Sequence, residues 1–121
     1  MNHTISPSRL LSRFVAYRCA VAAAERVQEA SRNWRGAASL VDQARRAATS
    51  VVLNLAEGNA HPPGSPDRRR YQRIALGSAL ELEAALDVAA VSGLGRGEDL
   101  AAAVEAAGRS AALCTALCRP R

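Results

Sequence analysis

Apolar residues return every three or four positions in four successive stretches of this chain, and glycine or proline punctuates the boundaries. That period belongs to an α-helix with one buried face. No run of β-branched residues offers a strand. The first stripe is Leu10, Phe14, Tyr17, Val21 and Ala24, opened by Ser6-Pro7, and predicts a helix over 7–31. "SRNWRG" is the turn after it, with Trp34 placed to lid one end of the core. The second stripe is Leu40, Ala44, Ala48, Val51 and Leu55, for a helix over 36–57 with Gly58 as its left-handed terminator. "NAHPPGSP" is a loop. Ser65-Pro66 opens a third helix over 66–92, with Asp67 in the first turn, where the helix dipole favours an acid. Its stripe is Tyr71, Ile74, Ser78, Leu82, Ala85 and Ala89. The fourth, over 98–118, carries Leu100, Val104, Ala107, Ala111, Cys114 and Cys118 and stops at Pro120. Four helices with short loops make an all-α, antiparallel up-down-up-down bundle, one domain over 1–121.

The core of such a bundle is thin. Hydrophobic residues are 49% of the chain, but alanine supplies much of that, and the aromatics are Phe14, Tyr17, Trp34 and Tyr71 alone. A chain of 121 residues then has material for one modest core, and an oligomer is expected. Leu76, Leu80 and Leu94 fall off the core stripe and leave apolar surface for a self-interface.

All sixteen basic residues are arginine, and the net charge is +5. Acidic partners are favoured: nucleic acid, an acidic protein or a membrane surface. The absence of lysine fits GC-rich coding and is not itself evidence for guanidinium chemistry. Three cysteines, Cys19, Cys114 and Cys118, make no disulfide framework. They read as small buried apolar residues, not as zinc ligands, because His3 and His61 lie far off in sequence. A di-iron bundle site needs Glu-x-x-His pairs, and Ala60 and Ala84 stand where those histidines would be. No strand-to-helix glycine turn holds a nucleophile or a phosphate. No catalytic residue, cofactor or metal is expected. No signal peptide is visible, and the uncharged stretches are short of a membrane span, so a cytoplasmic protein with no membrane partner is expected.

Two polar features remain. Asn54 lies beside the second stripe, with Glu57 one turn on. An amide there needs a partner from a facing helix, and the third helix offers Ser78 and Glu81, with Gly77 read as a point of close backbone approach. Asn54, Glu57, Ser78 and Glu81 are therefore read as a polar clasp that fixes helix register. Arg68, Arg69, Arg70 and Arg73 crowd the start of the third helix, where the macrodipole is already positive. Arg69 and Arg73 are like charges at i,i+4, which mildly destabilises a helix. Helix stability does not explain them, and they make a candidate anion site, with Arg45 and Arg46 of the second helix as further candidates for nucleic-acid contact.

The blocks "RRAATSVVLNLAEGN" and "YQRIALGSALELEAAL" resemble the four-helix-bundle proteins of the 23S rRNA intervening-sequence family, to which the accessory variability proteins of diversity-generating retroelements are similar. The resemblance covers roughly residues 10–118. Its specific part is Arg46-Ala47-Ala48-x-Ser50, Asn54-x-Ala56-Glu57-Gly58, Ile74-Ala75-Leu76-Gly77-Ser78 and Glu81-Leu82-Glu83. It implies a left-handed antiparallel bundle, a ring that is typically a pentamer, no enzyme activity, and a basic surface that engages a structured RNA or a reverse transcriptase. Relatives tend to carry a Gly-Arg turn after the Glu-Gly, where this chain has "NAHPPGSP", and Arg68 to Arg70 are placed to substitute for it. The reading that follows is an oligomeric nucleic-acid-binding accessory protein. The alternative is a protein-only oligomeric scaffold.

Overall fold

A computed structural model describes residues 10–95 and 97–120. Four helices follow in order: α1 Val15–Ser31, α2 Ala38–Gly58, α3 Pro66–Val91 and α4 Gly97–Leu117. No strand occurs among the described residues. Each helix packs on its two neighbours around the bundle, α2 on α3 most extensively, and α4 closes against α1.

The seams between helices are built mainly from alanine. In α1 the buried residues are Ala16, Ala20, Ala23, Val27, Ala30 and Ser31. In α3 they are Ala75, Ala79, Leu82, Ala85, Leu86 and Ala89. The expected first stripe is thus displaced: Phe14, Tyr17, Val21 and Ala24 flank the seam, half-buried. The third holds in its second half, where Leu82, Ala85 and Ala89 are buried, but Ile74 is on the surface; in α4 Ala107, Ala111 and Cys114 are buried as expected, while Ala103 is buried in place of the exposed Val104. Where helices approach closely, only a methyl group fits between backbones, and larger side chains move to the sides. In α2 the expected residues Ala44, Ala48, Val51 and Leu55 are buried, with Leu40 packed at their edge.

Two clusters divide the core along its length. One gathers Val27, Trp34, Leu82 and Leu86 with the alanines of α2 and α4. The other gathers Val51, Leu55, Ala75, Ala79 and Cys114, with Phe14, Leu76 and Leu117 packed against it. Trp34 lids the first cluster, buried as expected. Gly95 makes this fit possible, since a Cβ there would sit 2.8 Å from Trp34 Nε1.

Other expectations need correction. α1 starts at Val15, not at 7; residues 10–13 form a turn, and Ser6-Pro7 lies outside the described residues. Leu10 is 92% exposed, so a longer helix would gain no burial there, and helices without tertiary packing are marginal. Gly58 is the last residue of α2, not a left-handed terminator. It is buried because α2 meets α3 there: a Cβ at Gly58 would lie 3.3 Å from Tyr71 Cβ and 3.5 Å from the Arg68 carbonyl. α4 is long and apolar enough by composition to cross a membrane, with hydropathy 1.3, where no such segment was expected. It carries Glu105 and Arg109, and its Ala103, Ala107, Ser110, Ala111 and Cys114 are buried in the bundle.

The alanine seam predicts a strong size limit. Ala79→Leu should destabilise the protein by about 1–3 kcal/mol through overpacking, whereas Ala84→Leu, on the exposed side of the same helix, should change stability little. Urea unfolding followed by circular dichroism separates the two.

Candidate nucleic-acid interface

Ser65 caps α3 by accepting a hydrogen bond from the Arg68 amide at 3.2 Å, with Pro66 at the first helical position. This cap fixes where the four arginines of the first two turns project. Arg68 is half-buried. Its Nη1 donates to the His61 carbonyl at 3.2 Å and its Nη2 to Asn59 Oδ1, so it ties the α2–α3 loop to α3. Arg69 donates to the Gly64 carbonyl at 2.7 Å and is otherwise exposed. The Arg70 guanidinium lies 5.4 Å from the Tyr71 ring centroid. Tyr71 also stacks on His61 at 5.5 Å, and His61 Nδ1 faces Asp67 at 3.8 Å.

Beside these arginines is a groove of about 780 Å³ at the end of the bundle. Arg68, Arg69, Gln72 and Arg73 line it from α3, Cys118, Arg119 and Pro120 from the end of α4, and Phe14, Pro63 and Leu117 add apolar wall. Among the described residues no carboxylate lines it. The ion pairs among the described residues lie within single helices or between His61 and Asp67, and none involves Arg68, Arg69, Arg70, Arg73 or Arg119. Among the described residues, therefore, these arginines meet no counter-charge from another helix.

The sequence reading grouped Arg45 and Arg46 with these arginines, but the structure separates them. They sit in mid-α2, beside a shallower depression lined by Thr49, Ser50, Leu53 and Asn54. Arg45 turns inward: its Nε donates to Ser31 Oγ at 2.8 Å and its Nη2 to the Gln28 carbonyl at 3.5 Å, so it braces α2 against the end of α1. Arg46 pairs with Asp42 in its own helix at 2.9 Å. The Arg45 bonds were not legible, because both depend on where α1 ends, whereas the Asp42–Arg46 pair is an i,i+4 spacing within α2.

The polar clasp also has other members than expected. Ser50 Oγ and Ser78 Oγ share a hydrogen bond of 2.7 Å between α2 and α3. Asn54 donates to the Ser50 carbonyl at 2.8 Å and to Ser50 Oγ at 3.1 Å. It occupies an acceptor position on Ser50 and favours that hydroxyl as donor to Ser78. Glu57 and Glu81 are exposed and take no part. Gly77 is exposed, and a Cβ there would meet nothing within 4 Å, so no close backbone approach occurs. Ser50 was the missed member, though it lies one turn before Asn54 on the same face.

Among the described residues no group of three or more histidine, cysteine or acidic side chains could hold a metal. Cys114 is fully buried, and its thiol is pushed up to about 11 by burial, then by the nearby Cys118, with Ser110 opposing. Burial raises Cys118 as well, while Arg73 across the groove pulls it down.

A double-mutant cycle of Ser50→Ala and Ser78→Ala, read by urea unfolding, should give a coupling of about 0.5–1.5 kcal/mol, whereas Asn54→Leu should cost under about 1 kcal/mol because its bonds stay within α2. For Cys114 the folded state prefers the protonated thiol. Its stabilising effect is therefore complete below the unfolded value of 9.0 and is lost as pH rises toward about 11. Cys114→Ala should flatten the pH dependence of stability in that window.

The family model described as 23S rRNA-intervening sequence protein matches residues 12–114. No curated protein matches the chain. The matched span begins in the turn before α1 and ends at Cys114 of α4, so it takes in the seams of all four helices together with the Ser50–Ser78 contact and the arginines of α3. This chain belongs to the 23S rRNA-intervening sequence protein family.

Proposed function

We infer that this protein is a non-enzymatic, oligomeric nucleic-acid-binding accessory protein of the cytoplasm, engaging a structured RNA or a reverse transcriptase with its RNA through the basic end of the bundle. The observation that carries this reading is the groove at that end, which among the described residues four arginines and no carboxylate line. Phosphate oxygens are the natural counter-charge for guanidinium groups on such a surface. The family description, with its reference to 23S rRNA, supports an RNA connection. The link to retroelement accessory proteins rests on sequence resemblance.

Self-association belongs to the same reading. Ile74, Leu80, Val88 and Val91 are exposed along α3 on the side away from its buried seam, Leu80 at 53% and Val91 at 86%. Leu53 of α2 adds to the exposed apolar surface at 61%. Exposed apolar residues of this kind are the usual material of a subunit interface. Leu76 and Leu94, expected on that surface, pack instead against the two core clusters. A ring, with the pentamer typical of the resemblance, would repeat the arginine-rich end around one face. The same apolar stripe is what favours the alternative, a protein-only scaffold.

Light scattering at micromolar concentration should give a multimer, and a monomer would contradict the oligomer. Arg69, Arg70 and Arg73 changed together to glutamine should weaken RNA binding to a similar degree across sequences, because phosphate contacts carry little sequence information. The salt slope should flatten by about 0.7 to 0.9 per lost contact, with helical content unchanged. Absence of RNA and DNA binding by the unmodified protein at low salt would overturn the reading in favour of the scaffold.

A further inference from the structure

We propose that the groove at the bundle end takes single-stranded nucleic acid, with phosphates on Arg69, Arg73 and Arg119 and an unpaired base against Phe14. The proposal rests on the reading of the protein as a nucleic-acid binder and specifies the form of nucleic acid.

The groove walls are of mixed chemistry. Arg69, Arg73 and Arg119 form the charged part, while Phe14, Pro63 and Leu117 form an apolar part in the same concavity of about 780 Å³. Arg73 and Arg119 have no hydrogen-bond or ion-pair partner among the described residues, whereas Arg68 is held by the loop and acts as a brace. A duplex buries its base faces in the stack and presents phosphates on a convex surface. It would satisfy the arginines and leave Phe14 and Leu117 facing water. A single strand offers phosphate charge and a bare base face within one nucleotide, which matches both parts of the groove. Gln72, also in the wall, has both donor and acceptor atoms for a base edge. An acidic peptide matches the arginines but carries a planar group only where its sequence holds an aromatic residue, whereas every nucleotide carries one.

The test compares a labelled single-stranded oligonucleotide of mixed sequence with its own duplex, by fluorescence anisotropy at two salt concentrations, using the full-length protein. The unmodified protein should bind the single strand about tenfold tighter or more at equal length. Phe14→Leu should weaken single-strand binding by about fivefold or more, in line with the loss of one stacked base, and leave duplex binding and the salt slope unchanged. Arg73→Gln with Arg119→Gln should instead flatten the salt slope. If Phe14→Leu impairs folding, the single-strand preference of the unmodified protein decides alone. Equal binding of both forms would overturn the proposal while the nucleic-acid reading stands. Absence of binding to either form at low salt would remove both. Displacement of the oligonucleotide by poly-glutamate at equal charge concentration would point to an acidic protein instead and overturn the proposal as well.

Discussion

Close approach of helix backbones through alanine is the constraint on which the rest of this structure depends. Ala20, Ala23, Ala44, Ala48, Ala75, Ala79, Ala103 and Ala107 are all buried at the seams. A methyl group contributes little hydrophobic free energy alone, but it costs no side-chain entropy to bury and lets neighbouring helices pack densely. Room for larger apolar residues on the axis is limited to a few positions, Val27, Val51, Leu55, Leu82 and Leu86. Phe14, Tyr17 and Val21 move to the flanks of α1, and Ile74, Leu80, Val88 and Val91 move to the outer side of α3. The narrow core and the apolar exterior are therefore two consequences of one packing choice, and the exterior is the surface from which an assembly would be built.

The electrostatics follow from the same geometry. The closed α2–α3 corner, where Gly58 lies against Tyr71 and Arg68, brings the loop over the start of α3. Arg68 then finds the His61 carbonyl and Asn59 within reach, and Ser65 caps the helix. With the loop and the cap fixed, Arg69 and Arg73 stand beside the end of α4, where Arg119 joins them. The helix dipole opposes arginines at this position, so their placement costs helix stability and is better accounted for by what they face than by what they hold together.

Much of the fold was legible because the spacing of apolar residues is a helical period and the stops are glycine and proline. The α2 stripe, the Ser65 cap and the Trp34 lid are local or strongly patterned. The phase of α1 and of the first turns of α3 was not legible, although Leu82, Ala85 and Ala89 of the expected α3 stripe are buried. Hydrophobic weight draws the eye to Phe14, Tyr17 and Ile74, while the buried seam belongs to the alanines one position away. Gly58 and Gly77 were misread for a related reason: whether a glycine ends a helix, admits a neighbour or faces solvent depends on the facing helix. Of the site, the arginines at the start of α3 could be found because they violate helix-dipole preference. Arg119 and Phe14 could not, since they join the groove only through the way α4 and α1 end beside α3. Ser50 was missed because a serine in mid-helix carries no signal until Ser78 is seen opposite it.

The central claim is that the arginine-rich end of the bundle is where nucleic acid is held. Amide hydrogen exchange of the protein, with and without a saturating single-stranded oligonucleotide, tests it without altering any residue. The account predicts slowed exchange around residues 61–73 and 115–119, with little change around Trp34 and the α3–α4 turn at the opposite end. Slowed exchange confined to that opposite end, or to mid-α2 around Arg45 and Arg46, would contradict it.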